Sequence, residues 1–276
     1  MKKRMLACLP LFAVTALLVF AGCQKDDNTN PVAETETVEV ETLAQVEFDA
    51  ADYFVEETAN DDALLAGRQT AAPSSLPSCA TRTFNTQTHT LTIDFGTTNC
   101  LCNDGRTRRG KIIAVFSGAR HTAGSSVTIT LDNYYVNDNH FTGTKTKTYV
   151  SANKMNVTVQ NASIQTPQGN FEWSAARMIE RVAGADSRQL TDDVYLVTGR
   201  SAGTNRRGVK FNTVIEQPLK LVLAPTCVRN FVAGIVKTTT ENGHTLALNY
   251  DPIGGEPCDK IAELTINGRS KRIELR

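Results

Sequence analysis

Residues 126–131 read SVTITL. In this stretch the apolar side chains of Val127, Ile129 and Leu131 alternate with hydroxyl side chains. Successive side chains of a β-strand point to opposite faces, so the alternation predicts a strand with one buried and one wetted face. The same period of two recurs in residues 91–95 and 155–159. This pattern is typical of an antiparallel sheet that is exposed to water on one side.

Further stretches with strand composition occupy residues 111–116, 141–149, 171–178, 194–198, 209–215, 219–223, 231–238 and 261–266. Turn sequences with hairpin chemistry separate several of them, such as Asp104-Gly105, Asn242-Gly243 and Asn267-Gly268. Many short strands at this spacing predict an all-β domain over residues 78–276. The sequence leaves two arrangements open, an antiparallel β-sandwich and an open, barrel-like meander.

A weak internal repeat relates residues 79–112 to residues 227–275. The two copies contain the similar sequences HTLTIDF (89–95) and HTLALNY (244–250), each preceded and followed by a cysteine and then by a Gly-Arg turn. Each unit therefore has the form of a strand that is stapled at both ends and followed by a hairpin. The two units lie near the two ends of the β domain, which supports one continuous architecture.

Residues 1–22 have the form of a bacterial lipoprotein signal peptide. The basic run Lys2-Lys3-Arg4 is followed by an apolar run over residues 5–20 and by Ala21-Gly22, directly before Cys23. We expect cleavage before Cys23 and acylation of this cysteine, palmitate included, so that several acyl chains anchor the protein in a membrane. An ordinary signal peptide with a chance cysteine is the alternative.

The residues that follow Cys23 indicate where such an anchor is delivered. Gln24-Lys25-Asp26-Asp27 resembles the Cys-x-Lys-acid-acid export signal with which Bacteroidota move lipoproteins to the outer leaflet of the outer membrane. The resemblance implies a lipid-anchored outer-membrane protein that faces the cell exterior. In any other position the same charges would indicate only a solvated linker.

Five cysteines lie in the predicted β domain, and disulfides are expected if that domain is exported to an oxidising compartment. The repeat favours the pairs Cys79–Cys100 and Cys227–Cys258. Cys102 is then left over. It could instead pair with Cys79, which would leave Cys100 free.

The 29 basic and 29 acidic residues are unevenly distributed along the chain. Between residues 26 and 67 there are 13 acidic residues and no Lys or Arg, whereas residues 68–276 contain 25 basic and 16 acidic residues, a net charge of +9. Apolar residues at near-helical spacing indicate a short helix over residues 44–66, within an acidic linker of residues 23–77. This segment could fold back on the basic domain. We favour a solvated spacer, since its like charges repel one another.

Basic side chains cluster around three predicted turns of the β domain. On the outside of an outer membrane they could bind lipopolysaccharide phosphates or acidic glycans, and a protein partner is also possible. The interpretation that we favour from the sequence is that they maintain solubility and protect sheet edges from aggregation. The mature chain has 26 basic and 29 acidic residues from Cys23 onward, and this near-neutral balance does not exclude anionic partners, because the two signs of charge lie in different segments. We do not expect a nucleic acid among those partners. The candidate anion-binding residues are Arg106, Arg108, Arg109, Lys111, Arg206, Arg207, Lys210, Arg269, Lys271 and Arg272.

One motif suggests catalysis. Residues 199–203, GRSAG, match Gly-x-Ser-x-Gly, which makes Ser201 a catalytic candidate. That motif works on a strand-turn-helix, whereas here another strand follows, so a β-turn is the preferred interpretation. Ser201 on a concave surface beside a histidine or a carboxylate would favour an enzyme. Asp94 and Glu172 are available for carboxylate chemistry. The spacing of the histidines does not match a metal site, and the sequence contains no glycine-rich phosphate loop. We therefore expect neither a metal nor a cofactor.

Three stretches resemble a family of Bacteroidota lipoproteins that has no established activity. They are TIDFG (92–96) with a following cysteine, DGRTRRGKI (104–112), and YYVNDN (134–139) with TGT (142–144). The resemblance covers the first half of the β domain well and the rest loosely, and it implies a compartment and an architecture but no catalytic residues. We therefore expect a non-enzymatic binding or structural module for an envelope glycan, a polymer or a partner protein. An extracytoplasmic hydrolase on a β scaffold is the alternative.

Overall fold

The structure is a computed structural model that describes residues 31–68, 71–73, 75–187, 190–224, 227 and 231–274. The predicted signal peptide, the predicted lipidation site Cys23 and the predicted export signal lie outside these residues. Within the described ranges, no helix is both long enough and apolar enough to cross a membrane.

The described residues form one antiparallel sheet of 14 strands, in which almost every strand pairs with the next strand in the chain. The strands are β1 (Thr81–Asn85), β2 (Thr90–Asp94), β3 (Cys100–Leu101), β4 (Thr107–Phe116), β5 (Ser126–Val136), β6 (Asn139–Ser151), β7 (Lys154–Thr166), β8 (Gly169–Ala183), β9 (Val194–Thr204), β10 (Lys210–Val222), β11 (Phe231–Thr240), β12 (Thr245–Asn249), β13 (Ile261–Ile266) and β14 (Arg269–Glu274). The short β3 pairs only with β4, and β1 and β14 form the two edges. The sheet is therefore an open meander, which is one of the two arrangements that the sequence left open.

One long helix, α1 (Pro31–Ala59), packs on one face of this sheet, and the single turn α2 (Asp62–Leu65) follows it. We call the face that carries α1 the inner face. Adjacent helix residues point roughly 100° apart. Glu47 and Phe48 are adjacent in α1, yet both contact the sheet. Glu47 forms an ion pair with Arg108 of β4, and Phe48 stacks on Trp173 of β8. The sheet therefore curls around α1.

The core lies between α1 and the inner face. The ring of Phe48 lies 6.0 Å from that of Trp173, and the ring of Phe54 lies 5.6 Å from that of Phe95. Gly143 of β6 makes room for Phe48, because a Cβ at this position would lie 3.0 Å from the Phe48 ring and 2.8 Å from a neighbouring backbone atom. Its φ of 136° also lies outside the range that residues with a side chain readily adopt.

The position of α1 corrects the expectation of a solvated acidic spacer. The helix begins at Pro31 and ends at Ala59, rather than spanning residues 44–66, and residues 31–276 form one compact unit. The segment folds back on the basic domain, because the inner face supplies cations opposite its carboxylates. The predicted boundary at residues 77 and 78 therefore does not separate α1 from the sheet.

Both favoured disulfides, Cys79–Cys100 and Cys227–Cys258, are present in the structure. Cys102 is a free thiol and is buried. Burial raises the pKa of this thiol, which keeps it protonated. The repeat sequences correspond to β2 and β12, and the two disulfides brace opposite ends of the sheet.

Candidate functional site

The first predicted basic cluster is largely used inside the molecule. Arg108 is fully buried and donates two hydrogen bonds of 2.8 Å to the carboxylate of Asp104. Burial alone would lower the pKa of Arg108, but the hydrogen bonds to Asp104 raise it above its ordinary value. Arg106 pairs at 2.6 Å with Glu47 of α1. These two cations hold the helix and the β3–β4 turn in place, and are not available to an external anion.

The remaining cations of that cluster lie on the outer side of the sheet and are also paired. Arg109 pairs with Asp138, donates a 2.8 Å hydrogen bond to Asn99 and lies 3.9 Å from the ring centre of Tyr135. Its hydrogen bond lowers the pKa of Asp138. Lys111 lies 3.5 Å from a carboxylate oxygen of Asp94. An external anion would therefore have to displace existing carboxylate partners.

The second basic cluster meets the first turns of α1 for which side chains are described. Arg207 pairs at 2.8 Å with Glu36, and Arg206 lies 3.5 Å from Glu39. Lys210 is exposed, and its ammonium group makes no ion pair with any described residue. Two of the three cations in this turn are thus engaged by the helix.

Sequence reasoning missed two deeply buried cations, Lys145 and Lys147 of β6. Lys145 is 2% exposed and lies 2.8 Å from Asp49 and 3.1 Å from Asp52 of α1. Lys147 pairs with Asp52 and Glu56. The signal was present in the sequence, because both lysines occupy the same alternating phase as the buried Phe141 and Tyr149. They therefore had to point to the inner face.

Ser201 lies within β9 and not in a β-turn, which corrects the interpretation of residues 199–203. Its side chain points to the inner face, where its hydroxyl donates a hydrogen bond to Glu41 of α1. Thr213 donates to the other carboxylate oxygen of Glu41, and Thr213 and Thr238 share a 2.8 Å hydrogen bond. Glu41 therefore inserts from the helix among hydroxyl groups of three adjacent strands, β9 to β11.

The Ser201–Glu41 contact brings a serine and a carboxyl group together, as an enzyme would require, but its surroundings differ from a catalytic site. Ser201 is 5% exposed and is covered by α1. The adjacent cavity is lined by Glu41 and Thr238 and has a volume of about 30 Å³, the space of roughly one water molecule. His121 packs on Tyr149 instead of reaching this serine. The Ser201–Glu41 hydrogen bond is therefore a structural contact that holds α1 on the sheet.

The two candidate carboxylates do not share a cleft. Asp94 lies on β2 and Glu172 on β8, five strand positions apart in the sheet order. At about 4.8 Å per strand this is roughly 24 Å along the sheet. The paired carboxyl groups of glycosidases lie within roughly 10 Å of each other. Among the described residues, His, Cys, Asp and Glu side chains also form no group suited to hold a metal ion.

The third basic cluster differs from the other two. Arg269, Lys271 and Arg272 lie on β14, which is an edge of the sheet, and all three are exposed. None of them makes an ion pair with another residue in the described part of the chain. Of the predicted anion-binding residues, these three and Lys210 are the ones whose charge has no internal partner there.

The described residues thus form an open antiparallel meander that curls around an acidic helix. Comparisons with protein-family models, with curated protein sequences and with solved structures gave no match to this chain.

Proposed function

We propose that this protein is a lipid-anchored, non-enzymatic binding module on the exterior of the outer membrane, and that it binds an anionic envelope glycan at β14. Three features of the sequence support this location: the lipobox-like Ala21-Gly22-Cys23, the export signal after it, and the resemblance to Bacteroidota lipoproteins. The observation that carries the binding site is the contrast between the three basic clusters. Internal carboxylates engage most of the first two, whereas the third is exposed on an edge strand and makes no ion pair with any residue that the structure describes.

The exposed cations of β14 suit phosphate and carboxylate groups of a glycan. Arg269 and Lys271 lie on one face of β14 and Arg272 lies on the other. Because β14 is an edge strand, a glycan with repeated negative charges that follows this edge can contact cations on both faces. Such binding is electrostatic and weakens as salt rises. The hydrolase alternative is less well supported, because the helix covers Ser201 and leaves no space for a substrate beside it.

The binding test uses the purified chain and a fully deacylated, phosphorylated lipopolysaccharide oligosaccharide as the probe. The triple variant Arg269→Gln, Lys271→Gln and Arg272→Gln is expected to bind roughly tenfold more weakly or worse, because it loses all three cations. The control triple variant Arg68→Gln, Arg200→Gln and Lys210→Gln removes the same charge from exposed positions elsewhere and is expected to bind nearly as well as the unaltered chain.

Equal losses in both triple variants would show that only net charge matters and would reject β14 as the site. Unchanged oligosaccharide binding combined with aggregation of the β14 variant would assign these cations to edge protection instead.

The location at the cell surface is tested separately by protease treatment of intact cells. A surface-anchored chain is expected to be digested from outside, and Cys23→Ser is expected to abolish membrane anchoring. A protected β domain would refute surface exposure.

A further inference from the structure

An open cleft lies beside the β1–β2 hairpin, at the other edge of the sheet from β14. It has a volume of about 680 Å³ and is lined by Gly67, which follows α2, and by residues 83–88, 90 and 92 of the hairpin. Small-molecule sites in proteins commonly have volumes of roughly 300–1,000 Å³. The cleft is therefore large enough for a ligand, in contrast to the cavity of about 30 Å³ beside Glu41.

The lining of this cleft is polar and uncharged. Five threonines supply hydroxyl groups, Asn85 and Gln87 supply amide groups, and Phe84 and Gly67 complete the lining. Hydroxyl and amide groups both donate and accept hydrogen bonds. A charged ligand would find no opposite charge on these side chains, and an apolar ligand would remove water from them without replacing its hydrogen bonds. The lining therefore suits an uncharged ligand that carries many hydroxyl groups.

Hydrogen bonds within the hairpin hold one wall of the cleft in place. The side-chain oxygen of Asn85 accepts hydrogen bonds from the backbone N–H groups of Gln87 at 2.9 Å and Thr88 at 3.1 Å. The hydroxyl of Thr88 donates to the hydroxyl of Thr90 at 2.9 Å. The turn that joins β1 to β2 is thus ordered by its own side chains.

The wall that contains Gly67 is tied to the same hairpin. Arg82 of β1 donates a 2.9 Å hydrogen bond to Asp61, which directly precedes α2. The backbone N–H of Gly67 donates to the carbonyl of Leu64 at 2.8 Å. A Cβ on Gly67 would lie 3.2 Å from the methyl group of Thr86, so this wall meets the hairpin turn. Both walls are therefore positioned before a ligand binds, which lowers the entropic cost of binding.

Thr83 and Thr92 present hydroxyl groups to this cleft. They lie directly opposite each other in the β1–β2 pair and share the outer face of the sheet. Neither hydroxyl has a hydrogen-bond partner among the residues that the structure describes. Both can therefore bond to a ligand without breaking a contact inside the protein.

We infer that this cleft binds an uncharged oligosaccharide, whose hydroxyl groups exchange hydrogen bonds with Thr83, Thr92 and the side-chain amide of Gln87. Most of the lining residues are exposed, so the cleft is open to solvent and further sugar units can project from it. This site goes beyond the proposed function, because it lies at the other edge of the sheet and uses none of the β14 cations.

The experiment measures binding of maltohexaose, mannohexaose and xylohexaose to the purified chain by titration calorimetry. At least one of them is expected to bind, because all three present ring hydroxyl groups and no charge. Its affinity is expected to change by less than about twofold between low and high salt, since no ion pair forms. Absence of binding by all three at millimolar concentrations would overturn the inference.

The site is tested with the double variant Thr83→Val and Thr92→Val. Valine keeps nearly the shape of threonine and suits a strand, but it carries no hydroxyl group. The matched control is Thr130→Val with Thr144→Val, a pair that is also directly opposite, on β5 and β6. The first double variant is expected to bind roughly tenfold more weakly, because it loses two hydrogen bonds, and the control is expected to bind as the unaltered chain does. Equal losses in both would contradict the site.

A single variant in the exposed turn provides a second test that does not alter a strand. Gln87→Ala is expected to weaken binding of the oligosaccharide by roughly threefold or more, because it removes one side-chain amide. Unchanged affinity in both Gln87→Ala and the Thr83/Thr92 double variant would place the oligosaccharide elsewhere and reject the cleft.

This inference and the proposed function fail separately. The triple β14 variant is expected to bind the uncharged oligosaccharide as the unaltered chain does, and loss of that binding would reject the cleft as the site. A free strand edge can also pair with another strand. If no oligosaccharide bound and sedimentation showed a dimer that Thr83→Pro dissociates, the β1 edge would belong to a second copy of the chain and the inference would be wrong.

Discussion

Glu41 and Asp52 both point from α1 into the protein interior, yet their carboxyl groups respond to burial in opposite ways. Burial raises the pKa of Glu41, because its neighbours are the neutral hydroxyls of Ser201 and Thr213. Burial alone would also raise the pKa of Asp52, but the ammonium groups of Lys145 and Lys147 lower it below its ordinary value. The surroundings therefore shift Glu41 toward its protonated form and Asp52 toward its anionic form.

These directions set the pH dependence of folding. A raised folded-state pKa means that the contribution of Glu41 to stability is fully present at acidic pH and is lost as the pH rises through that pKa. The lowered pKa of Asp52 has the opposite consequence. Its contribution is present at neutral pH and is lost as the pH falls through the folded-state value.

We therefore predict that Glu41→Gln becomes more favourable relative to the unaltered chain as the pH rises. Glutamine keeps the shape and the hydrogen bonds to Ser201 and Thr213 but carries no charge to bury. The measurement is urea unfolding of both proteins at about pH 5 and at about pH 8. A difference in unfolding free energy that does not change with pH would show that Glu41 is not the titrating group.

The helix α1 is held by aromatic packing as well as by charge. The last turn of α1 contains no basic residue, and Arg120 from the β4–β5 connection supplies a cation there instead. Arg120 donates hydrogen bonds of 2.6 Å to the carbonyl of Ala59 and 2.8 Å to Glu56. It thereby satisfies a carbonyl that the helix end leaves without a partner, and it places positive charge at the negative end of the helix dipole.

Removing the Phe48 ring tests how much this packing contributes. Phe48→Ala leaves a cavity between Trp173 and Gly143, and we expect it to lower the free energy of unfolding by about 3–5 kcal/mol. Val46→Ala, at a side chain that is 38% exposed on the same helix, is the control and should cost less than about 0.5 kcal/mol. Equilibrium denaturation measures both. Similar small losses would mean that α1 is held mainly by its ion pairs.

At the scale of the whole molecule, the meander lacks the closure that would protect its two edge strands. The disulfides compensate near both ends, since Cys79–Cys100 joins the segment before β1 to β3 and Cys227–Cys258 joins the segments before β11 and β13. Their sequence separations are 21 and 31 residues. Loops of this size correspond to a stabilisation of about 3–4 kcal/mol each in the chain-entropy model.

We predict that replacing both members of either disulfide by serine lowers the free energy of unfolding by roughly 3 kcal/mol. Thermal or urea unfolding of the two double variants provides the measurement. Peptide mapping without reductant is the accompanying control, and it should recover both linked peptide pairs from the unaltered chain. Free Cys227 and Cys258 thiols in that map would contradict the second bridge.

Much of this fold could be predicted from local sequence, because a strand records its two faces in alternate residues. The period of two located most of the strands, and the repeat favoured both disulfides, although it left Cys102 as a second possible partner of Cys79. The same alternation in residues 141–149 also contained the two buried lysines. Their partners could not be predicted in this way, because ion pairing depends on which strand lies beneath which turn of α1.

By itself, then, the sequence determined the all-β architecture of residues 78–276 and its hairpin turns, and it favoured the two disulfide pairs, since these follow from alternation and from short-range order along the chain. Only the tertiary structure decided that the acidic segment is a core helix, that Ser201 is hydrogen-bonded to Glu41, and that the basic cluster on β14 has no ion-pair partner among the described residues. The physical reason is the range of the interactions. Carboxylates that look solvated in the sequence become buried when a curled sheet brings Arg108, Lys145 and Lys147 opposite them.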